Sequence, residues 1–215
     1  MLPGNNSFST DPTSGQKWDV YTIIASLSTH DSHIKNPVQP LPEEFSAWLE
    51  GCRRQDRLSQ ERLYRHFYDR MMMVVKRTFQ DQDAAVTILN NGFLRAFTRI
   101  TQFNGTGSFE GWLRRIMHHS AADYFRQNKL RLQAETSLPP ETEVHDKNEP
   151  TAYRELLQLL RFLPPATRMA ITLFVIEGYS HKEIAAMLGI STGTSKWHVS
   201  EGKRLLKEFL IKRNA

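Results

Sequence analysis

The chain has 215 residues, 40% of them hydrophobic and 24% charged, which suffices for the cores of one or two small domains. Its net charge of +5 and pI near 9.4 fit a nucleic-acid partner or a merely solvated basic surface, since phosphate binding needs clustered Lys and Arg more than a high total. A single cysteine, Cys52, excludes an intramolecular disulfide framework, and no apolar run reaches membrane-spanning length.

In chain order, residues 1–42 form an N-terminal extension rich in Ser, Thr, Pro, Asn and Gly. Trp18-Asp19-Val20-Tyr21-Thr22-Ile23-Ile24 is its one apolar patch, and the extension reads as disordered or as docking through that patch. It lacks the basic-then-apolar layout of a signal peptide, so the chain reads as soluble and cytoplasmic. Pro42-Glu43-Glu44-Phe45 reads as a helix start. Leu63, Tyr64, Phe67, Met71, Val74 and Val75 repeat at helical spacing, and Met71-Met72-Met73 reads as core filler. A further helix is expected from Asp83 to Ile100, with Ile88, Leu89, Phe93, Ala96 and Phe97 on one face. Gly92 inside it costs about 1 kcal/mol relative to alanine.

The glycines of Phe103-Asn104-Gly105-Thr106-Gly107-Ser108 mark a loop, and a helix follows from Phe109 to Leu130. Its stretch from Trp112 to Arg131 carries Arg114, Arg115, His118, His119, Arg126, Lys129 and Arg131, a basic stripe opposed mainly by Asp123. Residues 132–150 are polar, acidic and broken by Pro139-Pro140, and read as an interdomain linker. Helical spacing resumes with Tyr153, Leu156, Leu157, Leu160 and Leu163, followed by Pro164-Pro165 and a helix from Thr167 to Glu177 that Gly178 ends. No strand pattern or internal repeat is visible. The fold class is all-α: two small helical domains, 43–131 and 151–213, joined by a flexible linker.

The stretch from Tyr179 to His198 predicts a helix, a tight glycine turn and a second helix. Ser180 and Glu183 make a capping box, Gly189 suits a left-handed helix end, and Ser191 caps the next helix. Ile184, Ala185 and Leu188 share a face, with Ala185 small where the second helix crosses. Lys196, Lys203 and Arg204 on that second helix complete the layout of a DNA-binding helix-turn-helix.

Other chemistries find little support. His118 and His119 point about 100 degrees apart on a helix and make poor co-ligands, so no metal or other cofactor is expected. Arg53 and Arg54 beside Cys52 do not outweigh its reading as an ordinary helix cysteine. No nucleophile with a base and no carboxylate pair appears. Asn104-Gly105-Thr106-Gly107-Ser108 lacks both the Walker lysine and a preceding strand. The chain is not expected to be an enzyme or to take a small-molecule substrate.

Leu49-Glu50-Gly51-Cys52-Arg53, Leu63-Tyr64-Arg65-His66-Phe67-Tyr68, the run from Phe103 to Ile116 and Ala122-Asp123-Tyr124-Phe125-Arg126 resemble the promoter-melting domain of the extracytoplasmic-function sigma factors. Leu163-Pro164-Pro165-Ala166-Thr167-Arg168 and the run from Ile176 to Ala185 resemble that family's promoter-distal domain. The resemblance covers roughly residues 45–128 and 151–210. It implies partners in core RNA polymerase, promoter DNA and, as often in the family, an anti-sigma protein.

The resemblance also implies site residues. Thr192, Thr194, Lys196, Trp197 and His198 would reach bases or flanking phosphates of the minus-thirty-five element, with Lys203, Arg204 and Lys207 on phosphates or in solvent. Asn104, Arg114, Arg115, His118, His119, Asp123 and Arg126 would serve the minus-ten element, with one base flipped into a pocket near Asn104 to Phe109. Phe103, Phe109 and Trp112 would line the pocket or belong to the core; for Trp112 the core reading is preferred. Thr87, Asn90, Asn91 and Phe93 would face the polymerase clamp, where the family carries acids and a glutamine. An alternative is therefore a sigma-derived DNA-binding regulator with weakened or lost polymerase binding.

Two positions in the recognition helix depart from the family. Ser195 stands where an apolar residue usually packs, at a cost on the order of 1–2 kcal/mol, though its hydroxyl can bond a carbonyl of the preceding turn. Trp197 is large where the family is small; it either covers the gap or stacks on the DNA.

Overall fold

The structure, a computed structural model, describes residues 43–134 and 151–214; the expected extension 1–42 and most of the expected linker lie outside the described residues. All regular structure among the described residues is helical. The elements are α1 (Phe45–Arg53), α2 (Arg57–Lys76), α3 (Gln82–Thr98), a 3-10 turn (Ile100–Gln102), α4 (Phe109–Gln127), α5 (Lys129–Ala134), α6 (Thr151–Leu160), α7 (Pro165–Ile171), a wide π-turn (Thr172–Ile176), α8 (His181–Leu188) and α9 (Thr192–Asn214).

Short polar side chains start most of these helices by accepting from an otherwise orphaned backbone N–H. Asp56 caps α2, Asp81 caps α3 and Ser108 caps α4. Ser180 and Glu183 form the expected reciprocal box on α8, and Ser191 Oγ accepts from Thr194 N at 2.9 Å. Gly189 ends α8 at φ 65°, as its place after Leu188 predicts. The helix expected to run to Leu130 instead breaks at Asn128, and α5 continues beyond it into the expected linker.

The first core lies among α1–α4. Leu63, Phe67 and Met71 of α2 meet Ile88, Leu89 and Phe93 of α3 and Leu113 and Met117 of α4, all essentially solvent-free. Each such side chain contributes roughly 1.5–3 kcal/mol of burial. Gly92 is where α3 and α4 approach closely: a Cβ there would stand 2.3 Å from Met117 Sδ and 2.9 Å from its Cε. The glycine that propensity marks as a cost sits at the crossing, where a side chain would displace the Met117 thioether.

A second core joins Leu156, Leu159, Leu160 and Leu163 to Ile171, Val175, Leu206 and Leu210. The two helical units also pack on each other, a contact to which the sequence gives no clue. Met169, Ala170, Leu173, Tyr179, Ile184, Met187, Leu188 and Val199 extend the first core's apolar cluster, with α8 lying against α4.

Candidate nucleic-acid interface

The helix-turn-helix is built as its sequence predicts, with α8 supporting α9. Ile184, Ala185 and Leu188 are buried, and Val199 packs from α9. Ser195 is fully buried, but its hydroxyl does not turn back on its own helix. It meets His181 Nδ1 at 3.1 Å, and that imidazole stacks on Phe174 with centroids 4.4 Å apart. A polar pair across the two helices thus replaces the expected intrahelical bond. His198 is held likewise, 3.0 Å from Thr167 Oγ1. Burial pushes both imidazoles down from their ordinary pKa, helped by Lys196 and Lys203 at His181 and by Lys129 at His198.

The remaining recognition-helix residues divide by exposure. Thr192, Lys196 and Trp197 stand out from α9, with Trp197 59% exposed, so it fills no gap in the core. Thr194 shares a 2.8 Å bond with Ser191. Lys203 Nζ lies 5.8 Å from the Phe174 ring centroid. Arg204 is tied to its own helix by Glu201, at 2.7 and 2.8 Å, and by Glu208.

On α4 the expected solvent-facing basic stripe is broken. Arg115 and His119 are exposed, whereas His118 is buried. Partial desolvation of its ring, more than the neighbouring charges, lowers the His119 pKa. Asp123 bridges Arg95 and Arg126, and Arg126 also donates to the Met187 carbonyl of α8. The loop before α4 is exposed, and Asn104 Oδ1 accepts from Thr106 N and Oγ1 at 3.1 and 2.6 Å. Phe103 and Phe109 do not line a pocket in this loop. They are buried, in edge contact with each other, and Phe109 also meets Phe45 and Phe67. Trp112 is half-buried against the same cluster.

On α3, Thr87, Asn90 and Asn91 are exposed, and Asn90 Oδ1 accepts from Tyr64 OH at 3.0 Å. Phe93 is buried and presents no surface to a partner. Cys52 is solvent-free, and burial together with Asp56 pushes its thiol up to about 11, which leaves it inert.

The most strongly polarised cluster joins Arg114 and His118 of the expected stripe to Arg77, Glu177 and Tyr179, to which the sequence assigns no such role. Glu177 follows the π-turn, its N–H bonded to Thr172 O at 3.2 Å. Its Oε1 is 3.0 Å from Arg77 Nη1; its Oε2 is 3.4 Å from His118 Nε2 and 3.9 Å from Arg114 Nη1. His118 Nδ1 is 3.2 Å from Tyr179 OH. Nδ1 shares its hydrogen bond with Tyr179 OH, whereas Nε2 faces the carboxylate at ion-pair distance without completing a hydrogen bond. Burial alone would raise the Glu177 pKa, but His118, Arg77 and Arg114 outweigh it and hold the carboxyl well below the usual range. Burial pushes the Tyr179 phenol up to about 12. At Glu177 itself the sequence shows only an acid before a glycine, and the hundred-residue separation of Arg77 from Glu177 conceals the pairing.

Among the described residues no three His, Cys, Asp or Glu converge as a metal site, and no helix is long and apolar enough to cross a membrane. The arrangement offers cationic and aromatic surfaces for binding.

Comparison with known proteins gives two family models in order along the chain: Sigma-70 region 2 matches residues 63–131, and Sigma-70, region 4 matches residues 153–206. The ECF RNA polymerase sigma factor SigE of Mycolicibacterium smegmatis is 30% identical over 164 residues, which cover 73% of this chain and 63% of that protein. The chain thus spans just under two thirds of SigE. The RNA polymerase sigma factor CarQ of Myxococcus xanthus is 28% identical, over 70% of this chain and 88% of that protein. Among solved structures, the sigma factor RpoE of Bartonella quintana, in complex with the anti-sigma factor NepR, aligns with a TM-score of 0.47 and 19% identity, over 70% of this chain and 95% of that one.

Proposed function

The chain belongs to the extracytoplasmic-function sigma factors of the sigma-70 family, and we propose on that premise that it binds core RNA polymerase and directs initiation at particular promoters. The observation that carries this reading is the presence of both regions, in order, in one chain. A helix-turn-helix alone would suit many DNA-binding regulators; a region 2 ahead of it belongs to a protein that also loads polymerase.

In this reading α9 enters the major groove of the minus-thirty-five element. Thr192, Lys196 and Trp197 reach base edges and flanking phosphates, supported by the His181–Ser195 and His198–Thr167 pairs behind them. Arg204, held by two glutamates of its own helix, contributes less. Arg114, Arg115, His119 and Arg126 of α4, with Asn104 in the adjoining loop, serve the minus-ten element. Strand separation then draws on binding energy, since extruding a base costs a few kcal/mol that pocket contacts offset. The exposed face of α3 at Thr87, Asn90 and Asn91 meets the polymerase clamp through amide and hydroxyl groups. The protein works in the cytoplasm, where an anti-sigma protein is a further partner that family membership brings.

The test is run-off transcription by core RNA polymerase with the purified chain on a library of genomic fragments. Transcripts from discrete starts that depend on the chain support the reading; transcripts indistinguishable from core alone refute it.

A further inference from the structure

We propose that Arg77, Arg114 and His118 form an anion pocket that takes a promoter phosphate, and that Glu177 fills this pocket as a built-in competitor while the two halves of the chain are closed on each other. The proposal rests on the sigma-factor reading for the identity of the anion.

The pocket is built rather than incidental. The side chains of Arg77, His118 and Glu177 are 7%, 8% and 5% exposed. Arg77, just past the end of α2, and Arg114 and His118 of α4 converge on the two oxygens of one carboxylate. Carboxylate and phosphate present similar oxygen pairs to a guanidinium fork, so a site shaped for one accepts the other. Arg114 stands 3.9 Å from Glu177 Oε2 while also meeting Glu110 Oε1 at 3.4 Å. That looser contact leaves reach for an anion with more oxygens than a carboxylate.

Glu177 is delivered as a plug. The π-turn shifts the register of the chain at its end, Gly178 follows at φ 74°, and Tyr179 N bonds back to Leu173 O at 2.9 Å. Tyr179 then lands on His118 with its ring edge-on at 5.6 Å. Farther along the same half of the chain, the Met187 carbonyl takes Arg126, which lies against Gly189. Closure therefore engages Arg114 and Arg126, two of the α4 residues assigned above to the minus-ten element, together with His118, which the resemblance also assigns to it.

The closed form cannot span a promoter. Minus-ten and minus-thirty-five elements are named for centres about 25 base pairs apart, roughly 85 Å of helix at about 3.4 Å per base pair. Here α8 of the helix-turn-helix lies directly on α4. Opening must precede promoter binding, and it withdraws Glu177 and exposes the pocket beside the DNA face of α4.

The experiment measures binding of the free full-length chain to a fluorescein-labelled A+T-rich duplex across about 50–200 mM salt. Wild type, Glu177→Gln, and Glu177→Gln combined with Arg77→Gln and Arg114→Gln are compared. The expected result is a gain of tenfold or more for Glu177→Gln, with a log–log salt slope steeper by about 0.9, one phosphate, and loss of that gain in the triple variant. No gain, or a gain that survives without the arginines, overturns the proposal. Should Glu177→Gln fail to fold by circular dichroism, Arg114→Gln in the polymerase-bound chain is measured instead. A shallower salt slope by about 0.9 supports the pocket, and an unchanged slope overturns it. Chain-dependent transcription by the wild type is scored separately, so failure of the pocket and failure of the sigma-factor reading are distinguishable.

Discussion

Arg77 and Glu177 are 100 positions apart in the chain and 3.0 Å apart in space, in an ion pair that solvent barely reaches. Removing one member of such a pair takes away much of what compensates the other buried charge, at a cost of up to about 3–5 kcal/mol. The Glu177 carboxyl is held below its ordinary pKa, so its contribution is complete above about pH 4.3, the unfolded value, and is lost as pH falls from there toward the folded value. Urea denaturation should show wild type more stable than Glu177→Gln by a few kcal/mol at pH 7, with the gap closing below about pH 4. A gap that does not change with pH would contradict this assignment.

Gly92→Ala pits helix propensity against packing. Propensity favours alanine by about 1 kcal/mol, but its Cβ would overlap Met117 Sδ, and overpacking costs about 1–3 kcal/mol. Net destabilisation of about 1 kcal/mol is expected, and Met117→Ala should abolish the packing penalty in a double-mutant cycle. Additive effects in that cycle would show that α3 and α4 do not meet there as described.

The His181–Ser195 pair should matter to stability before it matters to DNA. Ser195→Ala leaves the half-buried His181 Nδ1 without its partner, a loss of roughly 1 kcal/mol in thermal or chemical unfolding. If the variant is as stable as wild type, the hydroxyl contributes nothing across the two helices.

Lys196→Ala and Trp197→Ala should leave stability within about 0.5 kcal/mol, because both side chains project into solvent. They should differ in DNA binding. Lys196→Ala is expected to weaken binding to all sequences and reduce the salt slope by about 0.9. Trp197→Ala is expected to reduce discrimination between promoter and random duplex, read by competition binding. Unchanged promoter transcription in both variants would move the DNA face away from this surface of α9.

Restoring acids on α3 tests the clamp-facing surface. Thr87→Asp with Asn91→Glu should tighten binding to core polymerase several-fold at low salt, and the advantage should fade as salt screens it. Affinity that is unchanged at every salt concentration would place the polymerase contact elsewhere.

Much of the fold was legible because local rules are strong here. The Ser180–Glu183 box, the left-handed Gly189, the Ser191 cap and the buried face at Ile184 and Leu188 each follow from residue type and spacing. Periodicity also marked Leu63, Phe67, Ile88 and Leu89 as inward-facing. Periodicity carries no information on which helices cross, so Gly92 read as a defect until Met117 was seen against it. It is equally silent on contacts between distant segments. His118 read as part of an exposed stripe because its neighbours Arg114 and Arg115 are cationic, whereas Tyr179 and Glu177 enclose it. For Phe103 and Phe109 the sequence left pocket lining and core both open. An aromatic cluster with Phe45 and Phe67, far off in sequence, holds them in the core.

The central claim is tested most directly by measuring the affinity of the purified chain for bacterial core RNA polymerase, with run-off transcription on the same preparation. The account predicts a stable complex that starts transcripts at discrete sites core alone does not use. A folded chain that binds DNA, leaves core polymerase unbound and yields no such transcripts would contradict it.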